Sequence, residues 1–210
     1  MTQLNTQPRR GRPPKNSREN LDTRAKLIRS GLAQLTENGF ASSGIDAILK
    51  KVGVPKGSFY HYFASKEAFG LAVIESYANY FAKKLDTYLL DQSVSPLTRL
   101  SNYVENAKIG MERYHFKRGC LIGNLGQEVD LLPESFRPIL ISIFDSWQQR
   151  VANCLQAAQL ENELSHSANS LFLAECFWVG WEGAVSRARI VQSNQPLDNY
   201  FKNFIAGLPR

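Results

Sequence analysis

The chain is poor in the residues from which most catalytic and metal sites are built. Among its 210 residues are three cysteines and three histidines. Cys120, Cys154 and Cys176 are odd in number and widely spaced, with no Cys-x-x-Cys pair. That pattern argues against a disulfide framework or a zinc site and for a reducing cytoplasm. No histidine stands beside a Cys or Ser in a recognisable nucleophile–base arrangement, and no Gly-rich phosphate loop is present. A helical hydrolase or transferase is therefore the weaker reading, and neither a metal nor a cofactor is expected. No apolar run approaches the ~18 residues of a membrane span. The basic, polar N-terminus has no hydrophobic segment behind it, so no secretory signal is expected either. Strand-like alternation is missing throughout, which leaves an all-α fold.

What the chain has is charge, placed unevenly. Residues 1–66 hold 12 Lys and Arg against 4 Asp and Glu, whereas residues 67–210 hold 13 against 15. All the excess positive charge lies in the first third. A polyanion-binding head on a near-neutral body follows from that split. A basic tail alone does not explain it, because Arg24, Lys26, Arg29, Lys50, Lys51, Lys56 and Lys66 lie in segments with helical patterning.

Residues 1–19 are polar and rich in Pro and Arg, the composition of a disordered arm. Helical periodicity begins near Leu21 and runs through Leu27, Ile28, Leu32 and Leu35 to Asn38-Gly39. Gly39 suits the left-handed position after a last helical turn. Ser42-Ser43 can cap a second helix at about 44–51, carrying Ile45, Ile48 and Leu49. Val52-Gly53-Val54 is a tight turn, and Pro55 opens a third helix at about 55–62. Ser65 caps a fourth that runs to about Leu90. Further helices are expected at about 97–115, 119–130, 134–160, 167–191 and 196–206, broken by Gly, Pro and Ser. The domains read as an arm at 1–19, a three-helix helix-turn-helix unit at 20–66 and a helical body at 67–210.

Two short helices joined by a Gly-containing turn form a helix-turn-helix, whose second helix enters the major groove of double-stranded operator DNA. Gly57 and Ser58 allow close approach. Lys56, Ser58, Tyr60, His61 and Tyr62 offer donors and aromatic surface. Tyr60 as a core aromatic and His61 as a solvated side chain are the plainer alternatives. Phe59 and Phe63, four apart, share a face that anchors the helix. Lys66, at a helix N-terminus, is a natural phosphate contact. Upstream, Arg9, Arg10 and Arg12 stand in an Arg-Gly-Arg-Pro setting suited to a narrow A·T-rich minor groove. The alternatives there are a tail adding non-specific attraction and an architectural DNA binder.

The block Val54–Gly70 (VPKGSFYHYFASKEAFG), with Gly39-Phe40, Ile45, Ile48 and Gly53 upstream, resembles the signature of the tetracycline-repressor (TetR) family. The resemblance implies DNA contacts at Lys56, Ser58, Tyr60, His61 and Tyr62, and phosphate contacts at Ser42, Ser43 and Lys66. It also implies a homodimer built from the last two long helices. Phe136, Leu140, Ile143, Phe144, Trp147, Val151 and Leu155 on one, and Leu171, Phe172, Phe177, Trp178, Trp181 and Val185 on the other, are the apolar residues available for the core or that interface. Residues 117–129 and 174–189 resemble acrylate- and electrophile-responsive members of the family, which implies a cytoplasmic repressor with a small-molecule effector.

The residues of those two segments suit an effector site. Gly119, Gly123 and Gly126 are costly in a helix and make sense as close approaches. Asn124 and Gln127 on that helix, with Trp178, Trp181, Glu182 and Arg187 on the later one, compose an amphipathic pocket. A small carboxylate such as acrylate needs a cation and neutral donors, roles open to Arg187, Asn124 and an indole N–H. Cys120 follows Lys117-Arg118 near a helix N-terminus, a setting that lowers a thiol pKa and favours reaction with electrophiles. A small buried core residue is its bland alternative. Cys154 and Cys176 read as core.

Overall fold

A computed structural model describes residues 17–210, with side chains from residue 21 onward. Arg9, Arg10 and Arg12 lie outside the described residues. Among the described residues, the regular structure is wholly helical. The elements are α1 (Ser17–Asn38), α2 (Ile45–Val52), α3 (Lys56–Phe59), α4 (Lys66–Leu89), α5 (Pro96–Arg113), α6 (Leu121–Gln127), a 3₁₀ turn (Val129–Leu131), α7 (Phe136–Leu160), α8 (Ser170–Val191) and α9 (Gln195–Ala206). The expected all-α architecture is found. Helix α1 starts about a turn before Leu21, because Ser17–Asn20 contain no apolar residue for periodicity to register.

The first three helices close on one core. Leu27 and Leu35 of α1, Ile48 and Leu49 of α2 and Phe59 of α3 are all buried. Gly39 ends α1 at φ +80 and Gly53 ends α2 at φ +67, so each turn uses the left-handed region that favours glycine. Ser65 caps α4 by accepting from the Ala68 N–H at 3.0 Å. The expected cap of α2 is not made. Gly44 is its N-cap, and Ser43 is buried with its hydroxyl donating back to the Gly39 carbonyl. That bond closes the α1–α2 turn.

Helix α4 joins the first three helices to the body. Phe69 and Val73 pack under α1, and Tyr77 and Phe81 meet Trp147 of α7. Helix α7 packs along α8, and α9 covers α8 from the far side. Most residues expected at an interface turn inward: Phe136, Trp147, Val151, Leu155, Phe177 and Trp181 are all under 3% exposed. Another set points out. Ile141 on α7 and Leu171, Phe172, Val179 and Ile190 on α8 are at least half exposed. Cys154 is core, but Cys176 is exposed, so the core reading of Cys176 is corrected.

Candidate functional site

The DNA-facing element is shorter than its sequence suggests. Helix α3 has four residues and continues as a tight turn, with Tyr62 N–H donating to Phe59 O at 2.9 Å and Phe63 N–H to the same oxygen at 3.1 Å. Phe59 and Phe63 are buried and meet the Phe69 ring at 5.4 and 4.9 Å between centroids. With those rings pinned inward, Lys56, Gly57, Tyr60 and His61 are exposed together, Tyr60 at 54%. Ser58 and Tyr62 are half-buried beside them. Gly57 meets nothing within 4 Å on its Cβ side, so the surface is open there. Lys56 pairs with Asp46 at 3.1 Å, an exposed contact that a phosphate can displace at little cost.

Lys66 and Ser42 complete this surface, and Ser43 leaves it. Ser42 is exposed. Lys66 lies over the Phe40 ring at 4.5 Å, and partial burial lowers its pKa. The Ser43 side chain has no exposed surface, so a phosphate contact through its hydroxyl is corrected to a structural role in the turn.

Behind this head, α1, α4, α5, α8 and the segment leading into α6 line a cavity of about 510 Å³. Tyr77, Phe81 and Lys84 line it from α4, Tyr103 and Asn106 from α5, Cys120 from the start of α6, and Trp178, Trp181 and Glu182 from α8. Its size falls within the usual range for small-molecule sites of roughly 300–1,000 Å³. Cys120, Trp178, Trp181 and Glu182 are thus brought together as expected. The walls from α4 and α5 are not legible in the sequence, since spacing along those helices does not say which face meets a cavity.

Three expected residues lie elsewhere. Arg187 is exposed and off the cavity, and Gln127 is exposed, its amide reaching the Ser186 hydroxyl at 3.5 Å. Asn124 spends both amide ends on protein, donating to Thr36 O at 2.9 Å and accepting from Arg189 Nη1 at 2.8 Å. Arg189, two residues on from Arg187, is the inward one. Lys84 is a wall cation that sequence reasoning missed, as are Arg113 and Arg118. Among these, Lys84 is on α4. It is half-buried in the cavity wall with no ion pair among the described residues, and desolvation lowers its pKa.

The electrostatics of the inner wall also correct the reading of Cys120. Its thiol is the N-cap of α6, accepting from the Gly123 N–H at 3.4 Å. Burial pushes the thiol well above its usual range, and the Glu182 carboxylate pushes it further. The neighbouring cation is engaged elsewhere: Arg118 pairs with Glu37 at 2.7 Å and covers the Tyr114 ring at 4.1 Å. A low-pKa thiolate is therefore not what this setting makes. Glu182 packs so tightly on α6 that a Cβ at Gly123 would collide with its Oε2. Gly119 makes a similar close approach to Val185 and Arg189, whereas Gly126 meets nothing.

Burial raises the Glu182 carboxyl to about 7. Its folded pKa lies above the unfolded value of about 4.3, so the fold favours the neutral acid. Stability is then full below the unfolded value and lost as pH rises through about 7. Glu182→Gln is expected to stabilise the protein by up to ~3 kcal/mol near pH 8 and by nothing near pH 4, read by urea unfolding. Equal effects at both pH values would refute the shift.

The cavity and the DNA-facing unit share α6. At its C-cap, Glu128 Oε2 accepts from the Phe40 N–H at 3.1 Å and the Ala41 N–H at 3.0 Å, holding the α1–α2 turn. Asn124 and Arg118 tie the same segment to the end of α1. The wall that carries Cys120 thus continues directly into the turn that positions α2 and α3.

Comparison with known proteins agrees with this arrangement. Residues 27–73 match the family of bacterial regulatory proteins, tetR family, and residues 96–204 match the tetracyclin repressor-like C-terminal domain. The chain is 49% identical to the transcriptional regulator AcuR of Cereibacter sphaeroides, covering 94% of this chain and 90% of that one. It is 34% identical to the HTH-type transcriptional repressor NemR of Escherichia coli, covering 88% and 94%. The crystal structure of a regulatory protein TetR from Rhodobacter sphaeroides superposes with a TM-score of 0.87 at 48% identity, over 89% of this chain and 98% of that one. These relatives are regulators rather than enzymes, and members of the family bind operator DNA as dimers. With a helix-turn-helix head, a helical body and a cavity between them, this chain belongs to the TetR family and is a DNA-binding transcriptional regulator.

Proposed function

We propose that this regulator is a cytoplasmic repressor that leaves its operator when a small molecule, acrylate or a related carboxylate or electrophile, enters the cavity behind Cys120. The observation that carries this reading is the shared helix. Cys120, the N-cap of α6, lines the cavity, and Glu128 at the other end of α6 holds the Gly39–Ala41 turn. An occupant that displaces Glu182 or Cys120 moves α6, and α6 moves the helix-turn-helix. In a two-fold dimer this changes the spacing of recognition helices that must meet grooves about 34 Å apart. The similarity to AcuR and NemR supports the same reading. The exposed apolar stripe Leu171, Phe172, Val179 and Ile190 on α8, with Ile141 on α7, is the surface we assign to the homodimer.

Domain limits follow: an arm ahead of α1, a DNA-reading unit from Ser17 through residue 66 and an effector and dimer body beyond it. Lys56, Gly57, Ser58, Tyr60, His61 and Tyr62 read the groove, with Ser42 and Lys66 on phosphate. Arg9, Arg10 and Arg12 are assigned to the minor groove. Replacing these three with alanine is expected to weaken operator binding and to flatten the log–log salt slope by about 0.9 for each phosphate no longer neutralised. An unchanged slope in anisotropy titrations would remove the arm from the interface.

Effector response is read by releasing the protein from a labelled operator with acrylate or with N-ethylmaleimide. Because the Cys120 thiol is buried and held protonated, Cys120→Ser is expected to keep both its acrylate and its maleimide response. Loss of both responses would make sensing covalent, the second reading, favoured by the position of Cys120 in the cavity wall.

A further inference from the structure

Two polar atoms of the cavity wall take no hydrogen bond among the described residues: Trp178 Nε1 and Glu182 Oε1. Both are buried, and Trp178 as a whole is 4% exposed. They stand four residues apart on α8, one turn along the same face, and both residues line the cavity. Native folds satisfy nearly all such atoms, so a pair left open side by side points to a missing occupant. An indole N–H only donates, while a carboxylate only accepts. The group that completes both must accept from the indole and donate to the carboxyl, as a carbonyl oxygen and a hydrogen-bearing N or O on one carbon do.

We propose that the inner end of the cavity recognises a carboxamide or an undissociated carboxyl group, with Trp178 Nε1 donating to its carbonyl oxygen and Glu182 Oε1 accepting its N–H or O–H. The proposal deepens the effector reading above and rests on it. A carboxylate anion then binds only with one added proton, shared between it and Glu182, whereas an amide needs none. The titratable groups facing Glu182 are the Cys120 thiol ahead of α6, the Tyr77 hydroxyl of α4 and the Tyr103 hydroxyl of α5. Burial raises all three, so they stay neutral through the physiological range. Glu182 itself titrates near about 7. Lys84 of α4, half-buried and without an ion pair among the described residues, is the competing anchor for an anion, and Arg113 at the end of α5 also lines the cavity without one.

The experiment is calorimetric or tryptophan-fluorescence titration of the full-length protein with sodium propionate, propionamide, sodium acrylate and acrylamide, between about pH 6 and pH 8.5. The saturated pair removes any reaction at Cys120 from the readout. Carboxylate affinity is expected to be flat below about pH 7 and to fall roughly tenfold per unit above it, while amide affinity stays level. Glu182→Gln, a neutral isostere, is expected to flatten the carboxylate profile and to bind propionate more tightly than the unaltered protein at the upper pH. Trp178→Phe is expected to lose roughly tenfold for both amide and acid. Lys84→Met is expected to keep the pH profile. A level carboxylate profile in the unaltered protein, or one that survives Glu182→Gln and vanishes in Lys84→Met, overturns the proposal and places the anion on Lys84. Failure of all four probes to bind overturns the effector reading itself. Binding and operator release with a level profile overturn the Glu182–Trp178 assignment alone.

Discussion

Phe59→Ala is expected to abolish specific operator binding while leaving the cavity able to bind its ligand. Helix α3 is too short to stand by its own backbone bonds, since isolated helices under ~12–15 residues are marginal in water. It is held instead by Phe59 and Phe63, of which Phe59 is the more deeply buried. Phe59 has no exposed surface and packs against Tyr60, Phe63 and Phe69, each at 5.4 Å between centroids. Truncating a buried Phe to Ala costs about 3–5 kcal/mol, a large share of what a unit this size has. With the Phe59 ring gone, Phe63 alone is left to fix the direction of Tyr60 and His61, and groove reading fails. The body is built from α4–α9 around a ring cluster that includes Trp147, Phe177 and Trp181. Calorimetry on the variant is therefore expected to show a low-temperature transition split from an unchanged upper one, with loss of the specific anisotropy signal. A single cooperative transition with retained operator affinity would mean that the head is not pinned in this way.

Glu128→Ala is expected to separate ligand binding from operator release. Glu128 is the one side chain of the α6 segment that holds the backbone of the α1–α2 turn, through the Phe40 and Ala41 N–H groups. It also lies close to Lys66, whose charge it favours. Its carboxylate sits where a Cβ on Gly39 would be, so the turn and the side chain are fitted to each other. Couplings between effector and operator sites are typically about 1–3 kcal/mol, or 5–150-fold in affinity. Without Glu128 that factor is expected to fall towards unity, with ligand affinity for the DNA-free protein unchanged. The check is paired titration: ligand into free protein, and ligand into the labelled operator complex. A variant that still releases the operator as fully as the unaltered protein would route the signal through Asn124 and Arg118 instead.

The helix-turn-helix was legible because its signals are local. Gly39 and Gly53 mark left-handed turns, Ser65 is a cap, and the four-residue spacing of Phe59 and Phe63 names the anchoring face. What local pattern could not show was how far α3 extends, since its last residues close as a turn rather than a helix. Ser43 looked like a cap and turned inward, because Gly44 already supplies the extended N-cap backbone. The cavity was half legible. Cys120, Trp178, Trp181 and Glu182 were named, but Tyr77, Phe81, Lys84 and Tyr103 were not, because membership depends on the rotation of α4 and α5 about their axes. Arg187 and Arg189 show the difficulty: two residues on a helix differ by about 200° in direction. The surroundings of the Cys120 thiol were hidden for a related reason. Lys117 and Arg118 are neighbours in sequence, yet Arg118 is committed to Glu37, and the group that faces the thiol is Glu182.

The central claim is that one chain couples operator binding to a ligand in the cavity behind α6. The most direct measurement is fluorescence anisotropy of the full-length protein on DNA from upstream of its own gene, at fixed salt, with and without acrylate. The expected result is a saturable complex that survives competition by non-specific DNA and is released by acrylate. A specific complex unmoved by acrylate, by the matching amide and by electrophiles alike would contradict that coupling.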